Sequence, residues 1–187
     1  MATTGACASI VEGTTQSVTV LTEPSGAQCK MERAGQTVGV VNPTPGSVLV
    51  GKSKDPINPL CTREGFEESS MPLPSEFQGM TFGNILFGGI VGVAIDAGSG
   101  AMNKYAPSVT VILIPSQFAS IAARDTFYSR LNADVLSVST REIAEVRKNC
   151  AGDVAATCDA KVKAAEAKRD AEVKALELKR SNAKIQG

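Results

Sequence analysis

Apolar and polar positions alternate with a period of two through the first third of the chain. In VTVLTEPSGAQCKM, Val18, Val20 and Thr22 fall on one face of an extended strand. Pro24-Ser25-Gly26 marks a turn, and Ala27, Cys29 and Met31 resume the alternation. Ala34-Gly35-Gln36 is a second turn, and Val38, Val40 and Val41 lie on a third strand. Pro43, Pro45 and Gly46 punctuate before a fourth strand at Val48-Leu49-Val50. Short strands with frequent turns predict a small β-sandwich or barrel.

The pattern then changes. Residues 79–101 read GMTFGNILFGGIVGVAIDAGSGA, where Gly88, Gly92, Asp96 and Gly100 recur every four residues. On a helix this row forms one narrow face that another backbone can approach closely. Each glycine costs a helix about 1 kcal/mol relative to alanine, which close packing or oligomerisation has to offset. The uncharged run between Asn84 and Asp96 would cover only roughly 17 Å as a helix, against a hydrocarbon core of about 30 Å. A simple single span is therefore not expected. Two readings stay open: a helix packed on the β-domain, or a membrane-inserting or subunit-packing helix whose neighbours satisfy Asp96. Alternation returns at Val109, Val111 and Leu113, interleaved with Thr110, Ile112 and Ile114. Five apolar residues in six predict a strand covered on both faces and ended by Pro115. Such a strand would rejoin the first sheet and make residues 79–101 an insertion.

From Ser116 the period becomes helical. Ser116 is a candidate N-cap, and Tyr128, Leu131, Val135 and Val138 follow steps of three and four. Ser139 and Glu142 have capping-box spacing, which predicts a break and restart, with Ile143 and Val146 in the new register. After NCAGDVAATC comes an Ala/Lys/Glu-rich stretch of strong helix formers. Glu166–Arg169, Asp170–Lys174 and Glu172–Leu176 have the spacing of an exposed helix face. The second arm carries few large apolar residues (Val162, Val173, Leu176, Leu178 and Ile185). That is too little for a core of its own, so the arm is expected to be solvated or to pack on a partner.

Cysteine usage sharpens this layout. Of five cysteines, Cys29 with Cys61 and Cys150 with Cys158 form two local pairs, and Cys7 is left over. An oxidising compartment would give two disulfides and one cysteine with a separate role; a reducing one would give five buried thiols. Cys150 and Cys158 flank Gly152-Asp153, as a staple at the tip of a helical hairpin would. In one continuous helix, eight residues would separate the sulfurs by about 12 Å, too far to bond.

The stretch VTVLTEPSGAQCKM resembles the opening of a PEGA domain, with Pro24-Ser25-Gly26-Ala27 in place of Pro-Glu-Gly-Ala. Arg63 to Glu68, REGFEE, resembles that family's later Lys-x-Gly-Tyr-x element. Cys7 to Gln16 is similar to the opening of small bacterial lipoproteins, and residues 79–101 are similar to their glycine-rich segment. The resemblance spans roughly residues 7–114. It implies a β-sandwich, a cell-envelope location, no enzymatic activity, and lipid attachment at Cys7. Thr4-Gly5-Ala6-Cys7 is then the tail of a lipobox-like site, with Thr4 where leucine is usual, and neither a basic start nor an apolar stretch precedes it. This implies a leader already removed or a start placed too late. Within this sandwich Cys29 and Cys61 would bridge two strands.

The fold expected is therefore α+β: a small PEGA-like antiparallel β-sandwich with a glycine-rich helical insertion, followed by a C-terminal α-helical hairpin. Residues 1–16 form a flexible anchor segment, 17–115 the β-domain, and 116–187 the hairpin. Composition narrows the chemistry. Histidine is absent, which excludes Ser-His-Asp and Cys-His catalysis, and no paired metal-ligand spacing or phosphate-binding loop occurs. Lys plus Arg equal Asp plus Glu at 19 each, without basic-aromatic interleaving, so nucleic acid is not an expected partner. Glu64, Glu67 and Glu68 beside Gly65 read as a surface turn. No cofactor is expected. The leading expectation is a non-enzymatic outer-membrane lipoprotein, periplasmic or surface-facing, serving as a structural subunit or adaptor. Its partners would be the membrane through Cys7, and another copy or another envelope protein through residues 116–187. The alternatives are a membrane-inserting oligomer driven by the glycine row and a soluble ligand-binding β-sandwich module.

Overall fold

A computed structural model describes residues 14–75, 105–150, 152 and 155–187. It is α+β, with two β-sheets and a C-terminal pair of helices. The strands are β1 (Thr15–Glu23), β2 (Gln28–Arg33), β3 (Gln36–Val41), β4 (Gly46–Gly51), β5 (Asn58–Thr62), β6 (Ser69–Ser70) and β7 (Ser108–Ile112). The helices are α1 (Ile121–Asn149) and α2 (Ala155–Asn182). One sheet has the order β4-β1-β7 and the other β3-β2-β5-β6.

The period-two pattern sets which faces meet. Val18 and Val20 on β1, Val50 on β4, and Val109 and Val111 on β7 point inward from the first sheet. Ala27, Cys29, Met31, Val41, Cys61, Met71 and Leu73 meet them from the second. Gly26 and Gly65 sit in turns with φ of +90° and +81°, in the left-handed region where a side chain is strained. The Pro24–Gly26 turn is tied to the segment between β3 and β4. The Gly26 and Ala27 amides donate to the carbonyl and hydroxyl of Thr44, and the buried Thr22 and Thr44 hydroxyls bond each other.

Two expectations about the β-domain change. The sheets are not wholly antiparallel: β7 pairs with β1 in parallel, in register from Thr19↔Ser108 to Glu23↔Ile112. The connection between β6 and β7 is long enough to carry the chain back to the start of β1, which parallel pairing requires. β1 also begins at Thr15, inside the segment assigned to the anchor, because Thr15 and Gln16 pair with Gly51 and Val50. The insertion itself is a fact of topology, since residues 76–104 separate the β6 region from β7. Its helical character lies outside the described residues.

β7 is covered on both faces, as its composition predicts. Val109, Val111 and Leu113 face the sandwich core. Ile112 and Ile114 face a second cluster with Phe118, Tyr128, Leu131, Val135 and Leu176. Apolar residues at and just past the end of α2 thus find their partner within the chain: Leu176 is buried there, with Val173, Ala183 and Ile185 packed against the cluster. Leu178 alone stays well exposed.

The helix starts later than expected. Ser116 donates from its amide and hydroxyl to the Gly65 carbonyl, which keeps it outside the helix. Ser120, with extended backbone, caps α1 by accepting from the Ala123 amide. Nor does α1 break at Ser139. The 29-residue helix continues because Ser139 and Ile143 are buried against α2, and Glu142 bonds across to Lys168 rather than back to a cap. Tertiary packing outweighs the capping signal here.

Candidate functional site

The strand directions give the sandwich two ends. At one end β1 begins, and Thr14 accepts from the Lys52 amide at 2.8 Å. The loop following β4 lies at this same end. Two of its successive carbonyls hold the stems of the insertion: Ser75 donates to Lys54 O at 2.5 Å, and the Tyr105 hydroxyl donates to Asp55 O at 2.7 Å. Tyr105 is fixed further. The Gln16 side-chain amide donates to its carbonyl at 2.6 Å and accepts from its amide at 3.0 Å. The Arg33 guanidinium lies 5.4 Å from its ring centroid while donating to Gly51 O. Burial pushes the Tyr105 hydroxyl's pKa up, so it remains a donor at all ordinary pH. Thr14, Ser75 and Tyr105, the described residues that border 1–13 and 76–104, therefore lie at one end of the sandwich.

The helical hairpin docks at the other end. Glu23, last on β1, accepts from Arg130 of α1 at 2.6 Å, and Phe118 pairs with Ile185 beside the Ile112–Ile114 cluster. Asp125 accepts from Arg180 of α2 and from Arg124, each at 2.9 Å, which holds its carboxyl below the usual range. Phe118, Phe127 and Tyr128 pack ring against ring at 5.4–5.8 Å between centroids. A shallow depression lies beside this end, lined by Gly26, Gln28, Asn42, Thr62, Arg63 and Glu64. Arg63 stacks over Phe66 at 5.1 Å.

Beyond the base, polar contacts also tie the two helices together. Lys168 donates to Glu142 at 3.2 Å and Arg147 to Glu166 at 3.3 Å. Glu166 thus turns to α1 rather than to Arg169, which pairs with its neighbour Asp170. Glu172, expected on the exposed face, is only 4% exposed, and its Oε1 has no hydrogen-bond partner. Burial pushes its carboxyl pKa up; Lys168 opposes that and Glu142 adds to it. The spacing contains the reason: Glu172 sits four residues before Leu176 and so shares the inward face.

Both expected cystines are present. Cys29 and Cys61 are register partners on β2 and β5, fully buried, with Cα atoms 4.0 Å apart. Cys150 and Cys158 join the end of α1 to the first turns of α2, with Cα atoms 5.4 Å apart. The hairpin and its staple occur together, as the length of a continuous helix requires. Cys7, Gly88, Gly92, Asp96 and Gly100 lie outside the described residues. Glu64, Glu67 and Glu68 are exposed around the Gly65 turn.

Among the described residues, no group of three or more His, Cys, Asp or Glu side chains could hold a metal ion. Among them also, no helix is long and apolar enough to cross a membrane. The stem clamp of Gln16, Ser75 and Tyr105 was not anticipated from the sequence. Gln16 and Ser75 are ordinary polar residues, and only the fold brings them to Tyr105 and to the loop after β4. Compared with protein-family models, with curated proteins and with solved structures, the chain matches none of them.

Proposed function

We propose that this chain is a non-enzymatic bacterial cell-envelope lipoprotein, anchored in the outer membrane through Cys7 and acting as a structural subunit or adaptor. One observation carries the reading. Thr14, which follows the segment bearing Cys7, and Ser75 and Tyr105, which border residues 76–104, lie at the same end of the sandwich, and the hairpin docks at the opposite end. β1 separates the two ends by roughly 26 Å, at about 3.3 Å per residue. In this arrangement a membrane-directed end and a partner-directed end do not compete for space. The two cystines suit an oxidising compartment. The long hairpin is the part offered to another copy or another envelope protein. Mass spectrometry of the protein isolated from native membranes tests the anchor. Acylated Cys7 at the mature N-terminus is the expected result, and an unmodified Met1 with a free Cys7 thiol overturns it.

The shared end also favours a second reading, in which the glycine row of Gly88, Gly92, Asp96 and Gly100 drives oligomers into the bilayer. Gly88→Leu or Gly92→Leu should then abolish oligomers or liposome leakage. If both variants behave like the unsubstituted chain, that reading fails.

A further inference from the structure

Register sorts the side chains of the first sheet into two faces. Val18, Val20, Val50, Val109 and Val111 point into the core. The outward face carries Thr15, Ser17, Thr19 and Leu21 on β1, Ser47 and Leu49 on β4, and Ser108 and Thr110 on β7. Of these strands only Glu23 puts a charge on this face, and it is paired with Arg130. The outward face of the other sheet is different in kind. There β2 presents Lys30 and Glu32, as a sheet face turned to water does.

Part of the uncharged face is already covered. Ile112, and Ile114 just past β7, pack with Phe118, Tyr128 and Leu131 at the hairpin base. Among the described residues nothing covers the rest, toward the Thr14 end: Ser17 and Ser47 are exposed, and Leu49 is 64% exposed.

Residues 76–104 begin and end beside this bare part. Ser75 and Tyr105 donate to the successive carbonyls of Lys54 and Asp55, in the loop after β4. Two residues past Tyr105, the Pro107 carbonyl accepts from the Thr19 amide and sets the chain onto β7. Leu49 lies two residues from Gly51, where β4 ends, or about 7 Å away. From Thr15 to Leu21 the face is about 20 Å long. The uncharged run between Asn84 and Asp96 would cover roughly 17 Å as a helix. Short Ser and Thr side chains on the sheet, and glycines in the run, permit a close approach.

We propose that the uncharged run between Asn84 and Asp96 lies across the outward face of the first sheet, over Ser17, Ser47 and Leu49, and completes from one end the cover that the hairpin base begins at the other. The proposal does not rest on the anchoring of Cys7. It gives the glycine row a packing role within the chain and competes with its insertion into the bilayer.

The chain has no tryptophan, so a single introduced one reports alone. Leu49→Trp is made in the full chain, with Val40→Trp, at an exposed position on β3, as the control. Acrylamide quenching is measured over a range of protein concentrations, with and without phosphatidylglycerol vesicles. Quenching at position 49 is expected to be much weaker than at position 40 under all these conditions. Adding Leu86→Ser/Ile90→Ser/Val93→Ser should raise quenching at position 49 to the level at position 40 and leave position 40 unchanged. Equal quenching at the two positions without the serine substitutions overturns the proposal, whether or not the triple variant folds. Protection that survives the triple variant, or that appears only as concentration rises, assigns the face to another occupant and overturns it too. Exposure of position 49 on adding vesicles hands the run to the bilayer. A second readout avoids the large side chain: Leu49→Ser should lower the urea midpoint and Val40→Ser should not, and equal midpoints count against the cover. Acylation of Cys7 is decided separately, by mass spectrometry, and neither result alters the other.

Discussion

Replacing Glu172 should stabilise the protein at neutral pH, by an amount that shrinks in acid. The carboxyl is 4% exposed, its Oε1 has no partner, and it shares Lys168 with Glu142. A buried polar group left unpaired costs about 1–3 kcal/mol. Glu172→Leu removes that cost and places an apolar side chain one turn before the buried Leu176, while Lys168 keeps Glu142 as its partner. The expected gain is about 1–3 kcal/mol at pH 7, or roughly 2–4 °C in Tm for each kcal/mol in a chain of this size. The pH dependence follows from linkage. The folded-state pKa lies above its ordinary value of 4.5, so folding favours the protonated acid. Its contribution is fully present below about 4.5 and is lost as pH rises through the folded pKa. Thermal and urea unfolding of the unsubstituted chain, Glu172→Gln and Glu172→Leu from pH 4 to 8 would read this out. Both variants should be flatter with pH than the unsubstituted chain, and the gap should close toward pH 4. A Glu172→Leu protein no more stable at pH 7, or a gap independent of pH, would refute the reasoning.

Cys158→Ser should cost about 2.5 kcal/mol from the lost nine-residue loop constraint. The loss should appear as faster amide exchange at the ends of α1 and α2 facing the cystine, with the β-domain unchanged; uniform exchange would contradict it. Asp125→Asn should remove a stabilising term that is present above about pH 3.8 and is lost as pH falls through the lowered folded pKa. Acid unfolding of the variant should therefore be shallower, and an unchanged acid limb would count against the Arg180–Asp125 latch. Tyr105→Phe should cost about 0.5–1.5 kcal/mol through the hydrogen bond to Asp55 O, and Tyr105→Ala about 3–5 kcal/mol, measured by urea unfolding. Equal effects of the two would mean that the ring contributes no packing.

The β-domain was legible where side-chain alternation alone decides the outcome. Val18, Val20, Cys29, Met31, Val109 and Val111 all face the core as their spacing requires. Strand direction was not legible, because alternation is identical in parallel and antiparallel strands; only the return of the chain to the start of β1 fixes β7 as parallel. The helical hairpin was legible from Cys150, Cys158 and the turn between them, whereas its start was not. Ser116 and Ser120 are equally good caps, and the choice depends on the Gly65 carbonyl, distant in sequence. Glu172 was misread because charge was weighed before position. The expected seam named Val138, yet Ser139 takes the buried place and Val138 is half-buried, a slip of one residue that steps of three and four cannot resolve. At the candidate site, the paired cysteines were legible as a pattern. The stem clamp was not, since its donors and acceptors lie up to 89 residues apart.

The parallel pairing of β1 and β7 has a mechanical consequence. Chain on the N-terminal side joins β1 at its start, and the hairpin joins β7 just past its end. Tension between those two attachments pulls the strands in opposite directions along their length. All five register pairs from Thr19↔Ser108 to Glu23↔Ile112 are then loaded together in shear, rather than opened one at a time from an end. A load passed between the far helices and the N-terminal segment thus meets its greatest resistance at this pair of strands. The Cys29–Cys61 cystine, in the other sheet, lies off that path.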